Sequence, residues 1–168
     1  TPWSDWLASN DAGEPDQSVA PLPNLLYTPG TTGRPKGTDL PPTMFAGGAT
    51  VDEHLANFKA GVLERSGGVI GPQLVVGPMY HTGPLSGTRQ LIAGVSSVIM
   101  ARFNAEKTLE AIEKYGIFSS IMVPTHFVRL LGLPDDVKAK YDLSSIRSIS
   151  HTGAKCPVDV KRGMIEWF

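Results

Sequence analysis

The sequence predicts an α/β protein made of parallel β-α-β units with flanking helices. Short apolar runs alternate with amphipathic segments from residue 69 onward, and several of these runs are followed directly by Gly, Pro or His. This alternation is typical of parallel strands joined by right-handed helical crossovers. We expect residues 69–168 to form this α/β portion of one subdomain. Residues 1–68 are expected to hold a linker, a loop and a following helix of another subdomain.

The first part of the chain carries two expected elements. The run Leu25–Tyr27 predicts a short buried strand that aims the loop after it. Pro41-Pro42 can open a helix, because proline suits the first helical turn. Apolar residues then continue at helical spacing over 43–65, and Gly67-Gly68 is the expected stop.

The second part alternates strands and helices. Asn104 is the expected N-cap of a helix that Gly116 ends, and Thr125 is the expected cap of the next helix. Pro157 is expected to open the terminal helix. The predicted strands cover 74–76, 97–100, 117–123 and 146–150, and the predicted helices cover 84–93, 105–115 and 125–131.

Composition narrows the class of partners. The 168 residues carry a formal net charge of −1 without a basic stripe, so we expect no nucleic-acid partner. No apolar run approaches the roughly 20 residues of a membrane-spanning helix. The four histidines lie too far apart for a local metal motif, and we assign no metal ligands. The single cysteine, Cys156, excludes an intrachain disulfide and favours a cytoplasmic location.

Residues 27–37, Tyr-Thr-Pro-Gly-Thr-Thr-Gly-Arg-Pro-Lys-Gly, predict a loop that holds phosphate groups. Glycine lets backbone N–H groups approach an anion closely, while threonine hydroxyls and a lysine ammonium add donors. The residues that supply these groups are Gly30, Thr31, Thr32, Gly33, Lys36 and Gly37. The alternative is an ordinary solvent-exposed turn, which uses the same residue types.

Two common phosphate motifs are excluded. In a Walker A loop the lysine follows a glycine and precedes Ser or Thr, whereas Pro35 and Gly37 flank Lys36 here. A dinucleotide-binding G-x-G-x-x-G does not occur. An ordinary P-loop NTPase is therefore disfavoured.

The loop resembles the phosphate loop of adenylate-forming enzymes, the superfamily of acyl-CoA synthetases, luciferases and peptide-synthetase adenylation domains. Their pattern is Tyr-Thr-Ser-Gly-Thr-Thr-Gly-x-Pro-Lys-Gly, and only Pro29 departs from it, which removes one hydroxyl and one N–H group. The resemblance implies that Lys36 acts on the β- and γ-phosphates of ATP together with Thr28, Gly30, Thr31, Thr32 and Gly33.

A second motif, Pro78-Met79-Tyr80-His81, follows the predicted strand 74–76. A histidine at a strand end can donate a hydrogen bond to a carboxylate or phosphate oxygen. The alternative is a histidine that only satisfies loop carbonyls. The motif resembles the second element of the same superfamily, which implies that His81 is a catalytic residue facing the carboxylate to be activated.

A third motif is the strand-to-helix turn at 148–157. It resembles the superfamily's Gly-Gly-Ala element, which implies that Gly153 and Ala154 line the adenine and acyl pocket, although a routine turn is the alternative. Val123–Phe127 resembles a Val-Pro-x element beside the acyl pocket, with a core role as the alternative. The roles of His126, His151 and Lys155 stay open, and Cys156 is interpreted as structural because no base adjoins it.

The resemblance implies an acyl-CoA ligase that uses ATP, Mg²⁺ and coenzyme A. A carboxylate attacks the α-phosphate of ATP, and a thiol then displaces AMP from the acyl-adenylate. The motifs around His81 and His126 are most similar to bacterial enzymes for fatty or steroid-type acids. A peptide-synthetase or aryl adenylation domain and a non-catalytic nucleotide-binding module stay open as alternatives. We expect an internal fragment that is inactive alone, since the superfamily's later elements would follow Phe168.

Overall fold

A computed structural model describes residues 2–10, 13–14, 16–28, 33–81, 83–84, 87 and 89–168. The chain divides into two compact units, Thr1–Phe58 and Lys59–Phe168. This border falls earlier in the chain than the border expected after residue 68. The assignment of the two parts of the chain to separate subdomains stays a prediction. Among the described residues, no helix combines the length and apolar character needed to cross a bilayer.

The first unit contains a β-hairpin. Its elements are helix α1 (Trp3–Ala8), strands β1 (Asn24–Thr28) and β2 (Lys36–Leu40), and a 3-10 turn at Pro42–Met44. The two strands pair antiparallel from Asn24 opposite Leu40 to Thr28 opposite Lys36. The expected strand is therefore present, but its burial was predicted wrongly: Leu25 is 57% and Tyr27 is 69% exposed. The described part of this unit has only the two strands in its sheet, so little covers their faces.

Helix α2 (Val51–Arg65) begins later than the predicted start at residue 43. Two capping bonds place the start: the Thr50 hydroxyl accepts from the Glu53 N–H at 3.2 Å, and the Glu53 carboxylate accepts from the N–H of Ala49, the residue before Thr50, at 2.8 Å. The helix ends before Gly67-Gly68, as predicted. It crosses the border between the two units.

The second unit is built on a parallel four-stranded sheet, which confirms the predicted α/β class. The strands are β3 (Gln73–Val75), β4 (Ser97–Ile99), β5 (Ser119–Met122) and β6 (Ser148–His151), in the spatial order β4-β3-β5-β6. All three neighbouring pairs are parallel. The helices are α3 (Ala105–Tyr115), α4 (Pro124–Leu131), α5 (Asp135–Lys138) and α6 (Val158–Trp167).

Both ends of α3 agree with the prediction, whereas the start of α4 does not. Asn104 caps α3 as expected, because its side-chain oxygen accepts from the Lys107 N–H at 2.9 Å, and Gly116 ends the helix at φ 57°. The cap of α4 was predicted wrongly: Val123 holds that position, because Pro124 suits the first helical turn and places the start one residue before Thr125. Of the helix expected over 84–93, the structure has α-helical residues at Pro84 and Gly87 and a 3-10 helix at Arg89–Ala93, and residues 85, 86 and 88 lie outside the described residues.

The core of the second unit lies between the sheet and its helices. Leu109 and Ile112 on α3 are fully buried, as their spacing on one helical face predicted. They pack in one cluster with side chains from the strands and the residues next to them, from α4 and from α6: Leu74, Val76, Ile117, Met122, Phe127, Leu130 and Met164. This packing holds the carboxyl ends of the strands in a defined arrangement.

Candidate functional site

The predicted site residues of the second unit lie at the carboxyl edge of the sheet. His81 follows β3, Val123 follows β5, and Gly153 follows β6. From β3 the chain continues to β4 on one side, whereas from β5 it continues to β6 on the other. Parallel sheets leave a crevice for ligands at such a reversal of strand order. The ends of β3 and β5 therefore mark the position expected for a ligand.

The His81 loop makes a tight turn after β3. The His81 N–H donates to the carbonyl oxygen of Pro78 at 3.0 Å. A Cβ atom on Gly77 would lie 2.7 Å from Pro84 Cγ, so the chain returns directly past the strand end. The imidazole of His81 is exposed and lies 5.2 Å from the Tyr80 ring, measured between centroids. An exposed imidazole at this edge is available to a ligand.

The turn after β6 exposes backbone groups at the same edge. The Thr152 N–H donates to the Met122 carbonyl oxygen at 3.0 Å, which continues the β5–β6 pairing by one residue. Gly153 then has φ 84°, a left-handed conformation that L side chains rarely adopt. Gly153 and Ala154 are both exposed. A flat ligand could therefore approach the backbone here.

The structure brings the second and third motifs into contact. A Cβ atom on Gly83 would lie 3.2 Å from Thr152 Cγ2 and 3.9 Å from Ile121 Cγ2. The segment that follows His81 therefore lies against the residue that precedes Gly153. Sequence reasoning did not identify Thr152 as a contact residue, because no local pattern shows which strand ends are neighbours.

His126 has a packing role in the first turn of α4. Its imidazole stacks on the Phe103 ring with centroids 4.1 Å apart, and Nδ1 lies 3.5 Å from the Val123 N–H. Burial lowers the pKa of His126 below its ordinary value, and the positive charge of Arg129 lowers this pKa further. These contacts favour the neutral imidazole.

His151 borders a separate pocket. Its Nδ1 atom is buried without a hydrogen-bond partner among the described residues, and its ring meets Phe127 edge-on at 5.8 Å. The pocket has a volume of about 200 Å³, and its lining includes Phe127, Ile149, His151, Lys161, Met164 and Phe168. His81, Gly153 and Ala154 do not line it.

The predicted phosphate loop belongs to the first unit. Gly30, Thr31 and Thr32 lie outside the described residues. Thr28 and Lys36 are exposed and stand directly opposite each other at the ends of β1 and β2, so their side chains leave the same face of the hairpin. In the described part of the chain, the one ion pair joins Lys138 to Asp135, which leaves the Lys36 ammonium without a carboxylate partner there.

Within the described ranges, no three His, Cys, Asp or Glu side chains form a group that could hold a metal ion. Cys156 is a free thiol that is partly buried against the core cluster. This position agrees with its interpretation as a structural residue.

The chain matches one protein family and is similar to several curated ligases. Residues 4–168 match the family described as AMP-binding enzyme. The chain is 31% identical over 147 residues to 4-coumarate–CoA ligase-like 8 of Arabidopsis thaliana, covering 84% of this chain and 24% of that protein. It is 33% identical over 148 residues to indoleacetate–CoA ligase of Aromatoleum aromaticum, covering 84% of this chain and 26% of that protein.

The fold is similar to that of a solved structure. The inhibitor-bound N-terminal domain of FACL13 from Mycobacterium tuberculosis superposes with a TM-score of 0.69 at 23% identity, covering 97% of this chain and 39% of that chain. This likeness shows the shared fold. The chain spans about a quarter of the length of the curated relatives that it matches.

Proposed function

Because the chain belongs to the AMP-binding enzyme family, we propose that the full-length protein is an ATP-dependent acyl-CoA ligase. A carboxylate oxygen attacks the α-phosphorus of ATP, and the bond to the leaving pyrophosphate breaks. The sulfur of coenzyme A then attacks the acyl carbon of the adenylate, and AMP leaves. The contact between Gly83 and Thr152 carries this proposal, because it joins the His81 segment to the Gly153 turn at one edge of the sheet.

Each group has a proposed role. The exposed imidazole of His81 orients the carboxylate by a hydrogen bond, and the open backbone at Gly153-Ala154 takes the flat face of adenine. In the first unit, Lys36 stabilises the charge that develops on pyrophosphate, with Thr28 beside it. Gly30, Thr31, Thr32 and Gly33 complete the proposed phosphate loop.

Magnesium is the expected counter-ion of ATP. Among the described residues no three His, Cys, Asp or Glu side chains form a group that could hold it, and we assign it no ligand in this chain. The proposed roles of His81, Lys36 and the Gly153 turn are to orient the carboxylate, to offset phosphate charge and to seat the base.

We propose a fatty or steroid-type acid as the substrate, on the resemblance of the motifs at 80–84 and 123–127. The curated relatives are named for 4-coumarate and indoleacetate, so these acids belong in the same test. The assay uses the full-length protein with ATP, Mg²⁺ and each acid, and it measures acid-dependent exchange of pyrophosphate into ATP. Thioester formation is then measured with coenzyme A.

Two variants test the roles of the proposed site residues. We expect Lys36→Ala and His81→Ala each to lower the exchange rate about 100-fold, the scale of losing one positioned charge or hydrogen-bond donor. Lys59→Ala removes an exposed lysine on α2 and is the matched control, with an expected change below about twofold. Unchanged exchange in both site variants would contradict the roles.

The alternatives give different results in the same assay. Nucleotide binding without exchange for any acid favours a non-catalytic module. Exchange followed by transfer to a carrier protein, and not to coenzyme A, favours a peptide-synthetase or aryl adenylation domain. The 168-residue chain alone is expected to show no exchange above background, and clear exchange would contradict this.

We also propose a cytoplasmic location, supported by the single free cysteine, Cys156. Fractionation of cells that express the full-length protein tests this location. Recovery of the protein in an organelle fraction would contradict it.

A further inference from the structure

Gln73 is a polar residue inside the sheet. Its side chain is buried at the start of β3, where the residue is only 2% exposed. Its amide nitrogen donates to the carbonyl oxygen of Gly87 and to Ser97 Oγ, the latter at 2.8 Å. The amide group has two N–H donors, and both are therefore used. A buried amide is retained at low cost only when such bonds are formed.

The partner of Gln73 lies in the segment that follows His81. A Cβ atom on Gly87 would lie 3.5 Å from both Gln73 Oε1 and Val75 Cγ2, so Gly87 packs against β3 itself. Pro84 packs beside Gly77, at the other end of the same strand. The chain therefore leaves the carboxyl end of β3, turns at His81 and returns along the strand toward its start.

We propose that Gln73 is a positioning residue for His81. The segment 77–87 begins at the buried end of β3, and the Gln73 amide holds its other end through the Gly87 carbonyl. His81 lies between these two fixed points, at the end of the exposed stretch Pro78–His81. Gln73 sits about 13 Å along the strand from Gly77, so it acts through the backbone and does not touch the substrate. The inference rests on the proposed function, in which His81 orients the carboxylate.

The kinetic test uses three variants of the full-length enzyme. Gln73→Met keeps the side-chain length but donates no hydrogen bond, and we expect it to raise the KM for the acid about tenfold. The KM for ATP should change less than about twofold, because the phosphate loop belongs to the other unit and the Gly153 turn is held to β5 by its own bond from the Thr152 N–H to the Met122 carbonyl oxygen. Ser97→Ala is the matched control: it removes one acceptor, leaves the bond to Gly87, and should change either KM by less than about twofold.

The Gln73→Glu variant adds a pH-dependent test. An ionised carboxylate cannot donate to the Gly87 carbonyl, whereas the protonated carboxyl donates one hydrogen bond. Burial raises the pKa of a carboxyl group, so the protonated form is accessible in mildly acidic buffer. The KM defect for the acid, measured against wild type at each pH, should therefore shrink as the pH falls. If Gln73→Met does not fold, Gln73→Glu replaces it in the kinetic test.

Hydrogen exchange tests the bond between Gln73 and Gly87 without a measurement of activity. Amides in 77–90 should exchange faster in Gln73→Met than in Ser97→Ala, while those of β5 should not. Equal exchange in 77–90, equal KM changes for acid and ATP, or a pH-independent Gln73→Glu defect would overturn the inference. If the wild-type protein forms no adenylate with any acid, that result contradicts the proposed function instead. The hydrogen-exchange measurement then still tests the bond between Gln73 and Gly87.

Discussion

The imidazole of His126 lies flat against the phenyl ring of Phe103, with centroids 4.1 Å apart and ring planes 12° apart. Phe103 follows β4, and His126 lies just after β5, while β3 runs between these two strands. The stack therefore links the two connections that leave the strands on either side of β3. The loop that carries His81 emerges from β3 between them.

The first prediction concerns the pKa of His126. Burial is the larger cause that lowers this pKa from its ordinary value of 6.5, and the charge of Arg129 is the smaller cause. NMR titration should therefore find the His126 pKa below 6.5. Arg129→Met should raise this pKa part of the way, and Arg129→Lys, which keeps the charge, should leave it low. Equal pKa values in the two variants would contradict the role of charge.

The second prediction follows from the same lowered pKa. Between the lowered folded value and the unfolded value near 6.5, the unfolded chain binds more protons than the folded chain. The stability that depends on neutral His126 is therefore present above pH 6.5 and is lost as the pH falls toward the folded pKa. His126→Phe, which has no titrating group, should flatten this pH dependence of the free energy of unfolding. An unchanged slope between pH 5 and 7 would exclude His126 as its source.

The third prediction tests the contact between the two motif segments. Gly83→Ala would place a methyl group 3.2 Å from Thr152 Cγ2, closer than most such contacts, and should lower kcat/KM for adenylate formation. Thr152→Ser removes the opposing methyl group, so the double variant should recover much of the loss. The measurement is a double-mutant cycle on acid-dependent pyrophosphate exchange. Additive effects would show that the two positions are not coupled.

The fourth prediction compares two glycines. Gly153→Ala forces a side chain into φ 84°, and it should lower the free energy of unfolding by about 1–2 kcal/mol. Gly61→Ala lies inside α2, where the new Cβ meets only the flexible end of Arg65, so it should raise stability by about 0.5–1 kcal/mol. Denaturant unfolding measures both changes. We expect the two changes in unfolding free energy to have opposite signs. An unchanged unfolding free energy in Gly153→Ala would show that the turn relaxes.

The fifth prediction concerns the start of α3. Asn104→Ala removes the side-chain oxygen that accepts from the Lys107 N–H, and it should cost about 1 kcal/mol of unfolding free energy. Asn104→Asp keeps an acceptor and should lose much less. Urea denaturation at pH 7 separates the two variants, provided their m-values agree. Equal losses would argue that the cap bond contributes little to stability.

Local signals in the sequence predicted much of the second unit. Asn104 and Gly116 bound a helix whose Leu109 and Ile112 face the core, and each of these features depends only on spacing along one segment. The pattern Thr-x-x-Glu at Thr50 and Glu53 is an equally local signal of a helix start, and both side chains accept backbone N–H bonds there. Its use would have placed the start of α2 correctly.

Relations between distant segments were not predictable in the same way. The polar strand β2 forms because β1 lies beside it, and no apolar periodicity marks it in advance. Gln73 and Thr152 matter through their neighbours Gly87 and Gly83, and those contacts depend on how the chain folds back onto the sheet. Residue types alone do not show which of these segments become neighbours.

The strand order also has a consequence during synthesis of the chain. Leu74 pairs with Ser120, whose hydroxyl donates to the Leu74 carbonyl oxygen at 2.7 Å across a separation of 46 residues. A ribosome that adds roughly 5–20 residues per second takes about 2–9 s to make that stretch. During this interval β3 can pair only with β4, and the edge of β3 that later pairs with β5 stays open. All three residues of β3 are buried in the finished sheet. Translational pauses within 77–118 would lengthen the time in which a nascent chain can aggregate through this edge.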